Sequence, residues 1–168
     1  MSTDFASWVQ PIADRFWTTR REVAEMAGKV PGDAWERLSP VEGWTYRDVL
    51  SHLAEGDVSI KNMIRTVLDG GDTDFRTWNN GREERVAGGL RRGASLTVDQ
   101  LIAQVLRDGE ETQQLLARLS DGHQAVQVIA SRTNPAPLSL AECLSSYHHD
   151  EEHIEHLRPA ITAEGVAR

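Results

Sequence analysis

With 168 residues, of which 39% are hydrophobic and 26% charged, the chain has the make-up of one globular domain, 1–168, able to bury a core without staples. A net charge of −8 argues against nucleic acid as the main partner, and the one cysteine, Cys143, excludes an internal disulfide and fits a reducing compartment. Met1 to Phe5 show neither the basic nor the apolar region of a secretory signal, and no apolar run nears the roughly 20 residues of a membrane helix. The expectation is a cytoplasmic protein with a small-molecule substrate, no nucleic acid and no membrane.

A first helix is predicted from Thr3 or Asp4 to about Ala27, stopped by Gly28. Phe5, Trp8, Val9, Ile12, Phe16, Val23 and Ala27 recur at threes and fours, which makes one buried stripe. Pro11 is tolerated near a first turn or marks a short irregular entry. A loop over 29–43 is punctuated by Pro31, Gly32 and Pro40. Thr45 and Asp48 then have the form of a capping box. They open a second helix expected to run through Val49, Leu53, Gly56, Ile60, Met63, Ile64 and Val67 until Gly70-Gly71. His52 lies beside that stripe, near the helix's N-terminal end.

Residues 72–93 are the least regular. Asn79-Asn80-Gly81 and Gly88-Gly89 are expected to break them, with a short helix from Arg82 to Val86 between. Arg82, Arg85, Arg91 and Arg92 make the stretch locally basic, which suits a solvated connection or a lid over an anionic substrate. Thr97 opens a third long helix carrying Leu101 to Leu119 and ending at Asp121-Gly122. Gln124 to Arg132 holds β-branched residues but reads as a single short run without a partner. After the rigid turn Asn134-Pro135-Ala136-Pro137, Ser139 caps a fourth helix with Glu142 in the capping-box position, and Pro159 should end or kink it. Four long helices with long first and second connections read as an all-α, up-down four-helix bundle.

Four of the six histidines fall between Tyr147 and His156. His149 and His153 are i and i+4, the spacing by which one helix offers two imidazoles to one divalent metal. The natural third ligand is His52. On a helical wheel His149, His153 and His156 lie within about 60° of each other, and the apolar stripe of the same helix is centred roughly 120° away. That face is either solvated or the lining of a polar cavity, and periodicity does not separate the two. Neutral imidazole suits zinc, nickel, copper or iron. Asp150, Glu151, Glu152 and Glu155 could orient the imidazoles, although Glu151 and Glu155 fit a solvated face better. His148 points away from His149, His156 is a candidate fourth contact, and His123 has no role. Cys143 reads as a buried, inert thiol, Trp8 and Trp44 as core or staple residues, and Trp78 as an aromatic at a pocket mouth. Glu55 and Asp57, after His52, are candidate general bases.

The segment Gly43-Trp44-Thr45-Tyr46-Arg47-Asp48-Val49-Leu50-Ser51-His52-Leu53-Ala54-Glu55 resembles the second-helix signature of the DinB-like bundle superfamily. That group includes the N-terminal domains of mycothiol-dependent maleylpyruvate isomerases. His149-Asp150-Glu151-Glu152-His153-Ile154 is similar to its fourth-helix His-x-x-x-His motif, and the likeness spans nearly the whole chain. The resemblance implies a divalent metal, zinc or nickel foremost, held by His52, His149 and His153, with a low-molecular-weight thiol such as mycothiol as cosubstrate. It also implies a thiol-dependent transferase or a hydrolase acting on a small electrophile, and a homodimer. The chain is expected to come without the further C-terminal domain of the full-length isomerases, so their own reaction is not carried over. A non-catalytic metal- or small-ligand-binding module is the alternative.

Overall fold

The computed structural model describes residues 4–56, 58–76, 81–130 and 136–162. Thr3, Asp57, Trp78, Asn79, Asn80, Asn134 and Pro135, all named above, lie outside the described residues. Seven α-helices account for most of the described residues: α1 Gln10–Ala27, α2 Tyr46–Glu55, α3 Val58–Leu68, α4 Arg82–Gly93, α5 Val98–Leu116, α6 Leu140–Ser145 and α7 His149–Thr162. The chain divides into two compact units, and α1 and α5 each contribute residues to both.

The first unit comprises Met1–Trp17, Asp57–Arg82 and Glu110–Tyr147. Its core is made by Val9, Ile12 and Phe16 of α1, Ile60 and Ile64 of α3, Leu116 of α5, and Leu140 and Leu144 of α6. α1 begins at Gln10 rather than at Asp4. The turn at Ser7–Val9 precedes it, and Pro11 sits in the first turn, where its missing N–H costs nothing. The run from Gln124, described as far as residue 130, does find a partner. β1 (Gln127–Val128) pairs antiparallel with β2 (Leu138–Ser139), and Ile129 makes a parallel bridge to Asp74. Buried Val128 anchors this ribbon to the core. Ser139 caps α6 as expected, its hydroxyl accepting from the Glu142 N–H.

The helix predicted from Ser139 onward stops at Ser145. The Arg15 guanidinium, stacked over Phe16, donates to the carbonyls of Leu144 at 2.7 Å and Ser145 at 3.0 Å, so the last turn of α6 is satisfied without a following helix. Cys143 is buried 3.7 Å from the Met63 sulfur, and burial pushes its thiol pKa up, as an inert core cysteine requires.

Buried Lys61 of α3 is answered by Glu111 of α5 at 2.8 Å, with Arg65 on the same carboxylate. Lys61 first, then Arg65, holds the Glu111 carboxyl below its usual range. A carboxyl depressed on folding contributes stability that is fully present above its unfolded pKa and lost as pH falls through the folded value. Glu111→Gln should therefore lower the thermal midpoint at pH 7, with the gap closing as pH falls below about 4. A gap unchanged between pH 7 and pH 3 would contradict the pairing.

The second unit comprises Thr18–Gly56, Glu83–Gly109 and His148–Arg168. Val23 and Met26 of α1, Leu50 and Leu53 of α2, Leu101 and Val105 of α5, and Ile154 and Leu157 of α7 form its core. The long helix expected from Thr45 to Gly70 is two helices. Gly56 adopts φ +79° and ψ 176°, a conformation essentially reserved for glycine, and a Cβ there would overlap the Asp108 carboxylate. α2 ends there because α5 comes too close for any side chain.

Gly88 and Gly89 do not break the basic stretch; α4 runs through both. Gly89 lies over Glu55 and Gly93 over Ser51, a glycine pair four apart meeting two residues four apart on α2. Close approach of the two helices offsets the roughly 0.5–1 kcal/mol that each interior glycine costs. Gly88 meets only the flexible ends of Arg91 and Arg92. Thermal or denaturant unfolding should show Gly93→Ala destabilised by about 1–3 kcal/mol and Gly88→Ala unchanged or stabilised by up to about 1 kcal/mol. Equal effects of the two would contradict this packing.

Candidate metal centre

The site is built on α2 and α7, within the second unit. Thr45 caps α2, accepting from the Asp48 N–H at 3.1 Å, while Asp48 accepts from the Thr45 N–H at 2.9 Å. The capping box thus forms as expected and fixes the start of α2, so that His52 falls on the edge of the face that buries Val49 and Leu53. α7 opens with His149 itself, and His153 stands one turn further on. The helix passes Pro159 and is described as far as Thr162, so the proline does not end it.

The three imidazoles converge. Ring centroids are 4.9 Å apart for His52 and His149, 4.7 Å for His52 and His153, and 4.7 Å for His149 and His153. The planes meet at 71°, 69° and 68°, a nearly threefold propeller. One ring nitrogen from each lies within 4.8 Å of the other two, and Nε2 of His52 is 3.0 Å from Nε2 of His149. Two imidazole nitrogens face each other that closely when they share a proton or a cation. Tetrahedral bonds of about 2.0–2.1 Å would set donor nitrogens about 3.3 Å apart, close to the spacing of the His52–His149 pair. All three rings are half-buried, so the histidine face is neither fully solvated nor sealed.

Trp44, expected as a core or staple residue, packs on the second unit's core and also covers the cluster on one side. Its ring lies edge-on to His52 at 5.2 Å and parallel to His153 at 6.3 Å. It immediately precedes the N-cap, the staple position, and its large ring reaches about two turns along α2 to His52. His156 is a neighbour of His153, with Nδ1 atoms 3.3 Å apart, and stays outside the converging set. His148 is exposed and lies 3.6 Å from Glu151. Glu151 is half-buried and accepts from Thr19 at 3.5 Å, so it is less solvated than expected, whereas Glu155 pairs with Arg158 at the surface. Glu55 takes Arg92 as its partner and lies over Gly89, which ties it to α4. His123, given no role above, closes a short 3₁₀ turn by accepting from the Ser120 N–H at 2.9 Å.

Beneath the histidines is a charge that sequence reasoning missed. Arg20, only 2% exposed, donates to the Leu53 carbonyl at 2.6 Å and pairs with Asp108 at 3.2 Å and Asp150 at 2.9 Å. The signal was present in α1: Arg20 falls four after Phe16 and three before Val23, on the stripe that should be apolar.

Trp44→Leu should cost about 1–2 kcal/mol through lost apolar contact and two lost ring contacts, read from denaturant midpoints. An unchanged midpoint would show that the indole does not pack on the histidines.

The family model described as the mycothiol maleylpyruvate isomerase N-terminal domain matches residues 16–144, a span that takes in His52 and stops short of His149. A search of the curated proteins found no match. Among solved structures, the crystal structure of a histidine-to-alanine mutant of mycothiol-dependent maleylpyruvate isomerase superposes with a TM-score of 0.68 at 15% identity, over 89% of this chain and 60% of that one. The crystal structure of the mycothiol-dependent maleylpyruvate isomerase gives 0.64 at 14% identity, over 95% and 61%. The chain therefore spans about 60% of the length of either. At such identities the likeness establishes the fold, the all-α bundle expected from the helix pattern and, from the resemblance, of DinB-like type. With the greater part of its length matched by the family model, the chain belongs to the mycothiol maleylpyruvate isomerase N-terminal domain family.

Proposed function

We propose that the chain is a divalent-metal-dependent enzyme whose ion is held by His52, His149 and His153 and whose substrate is a small electrophile attacked by a thiol or by water. The observation that carries this reading is the convergence of three imidazole nitrogens within 4.8 Å in a chain of this family. Zinc or nickel suits an all-imidazole donor set, and the thiol of the family's name, mycothiol, is the first cosubstrate to try.

His52, His149 and His153 would hold a divalent ion through uncharged donors, and such an ion would supply the positive charge that makes a thiol or water more acidic. The chain's own part is to orient and to shield. α2 and α7 present the three nitrogens from fixed turns, and Trp44 walls off the side of His52 and His153. Glu55, engaged by Arg92, is not aimed at the cluster, so the proton of the nucleophile leaves through another acceptor or through solvent.

Protein purified without a histidine tag should carry about one ion per chain. His52→Ala, His149→Ala or His153→Ala should each weaken binding by more than the roughly 10–100-fold typical of outer-shell changes. Thiol consumption against a panel of electrophiles should depend on the ion. Metal content untouched by His149→Ala would overturn the centre, and a loaded protein without turnover would identify a binding module instead.

A further inference from the structure

Arg20 and the two carboxylates around it are the largest buried charged group of the second unit, and the proposed chemistry does not use them. The guanidinium reaches α2 at the Leu53 carbonyl, α5 at Asp108 and α7 at Asp150. Its planar fork fixes the direction of every acceptor it holds. The Arg20 Nε lies 2.9 Å from Oδ2 of the Asp150 carboxylate, an ion pair. The other carboxylate oxygen, Oδ1, lies 3.5 Å from Nδ1 of His149.

That nitrogen is shut off from solvent. A buried ring nitrogen beside a carboxylate is stable as a donor and unstable as a second lone pair. The hydrogen of neutral His149 therefore belongs on Nδ1, and the lone pair is left on Nε2, the atom 3.0 Å from Nε2 of His52. A carboxylate behind an imidazole also makes the opposite nitrogen a better donor to a metal.

We propose that Asp150, held by Arg20, is a positioning residue that locks His149 in the Nδ1–H tautomer and turns its Nε2 toward His52 and His153. The consequence for metal affinity rests on the three-histidine centre proposed above; the tautomer does not. Arg20 thereby links α1, which carries no histidine, to the geometry of the site.

The test uses the full chain labelled with ¹⁵N-histidine, stripped of metal and held at about pH 8, where imidazole is neutral. Two-bond ¹⁵N–¹H correlation should show His149 protonated at Nδ1. An Nε2–H form in the folded protein would overturn the proposal. Zinc affinity, measured by competition with a chromophoric chelator, should fall about 10–100-fold in Asp150→Asn. An affinity equal to wild type in a folded Asp150→Asn would also overturn it. If that variant does not fold, the wild-type tautomer alone decides. If the wild type binds no zinc, the metal reading fails while the tautomer still stands or falls on its own signal.

Discussion

A guanidinium taken out of water must be answered in full, and the second unit is arranged to answer Arg20. Leaving such a charge without its partner costs about 3–5 kcal/mol, so the buried ends of α2, α5 and α7 have little freedom once α1 is in place. The end of α2 supplies the Leu53 carbonyl, which accepts the Gly56 N–H of the C-cap at 3.2 Å and has its second lone pair left for Arg20. α5 supplies Asp108, against the same glycine, and α7 supplies Asp150 in its first turn. The aliphatic core around Leu50, Leu53 and Leu157 holds these helices together without choosing their register. The polar contacts choose it, since each needs a particular atom in a particular place.

From that register the site follows. His52 lies one residue before Leu53, whose carbonyl Arg20 takes, and His149 one before Asp150, whose carboxylate Arg20 takes. A shift of either helix by one residue would carry an imidazole roughly 100° around its axis and out of the cluster. The nearly threefold meeting of the rings is thus a result of buried electrostatics as much as of hydrophobic packing. Trp44 completes the arrangement from the loop before α2, where the N-cap at Thr45 fixes its position. α4 closes against the other face of α2 through Gly89 and Gly93, which gives a helix with four arginines a tight seat without a bulky side chain between.

The parts that were legible beforehand are those with a local cause. Thr45 with Asp48, and Ser139 with Glu142, announce helix starts because the cap and its reciprocal partner lie three residues apart. The spacing of His149 and His153 announces a shared face for the same reason. What was not legible depends on contacts distant in sequence. Nothing near Gly56 says that Asp108, about a third of the chain away, will crowd it. Nothing near Ser145 says that Arg15 will satisfy its carbonyl and end α6. Gly88 and Gly89 look like a break until α2 is known to lie against them, and the strand at Gln127 lacks a partner until Leu138 arrives. Arg20 was the readable exception, a charge set on an apolar stripe.

The central claim is that three imidazoles from two helices share one divalent cation. X-ray absorption at the zinc edge of the loaded protein reads this directly, because imidazole rings leave a multiple-scattering pattern distinct from that of carboxylate or water. The account predicts three imidazole nitrogens at about 2.0–2.1 Å, with at least one further light donor completing the shell. A first shell of oxygen alone, or one containing fewer than three imidazoles, would contradict it.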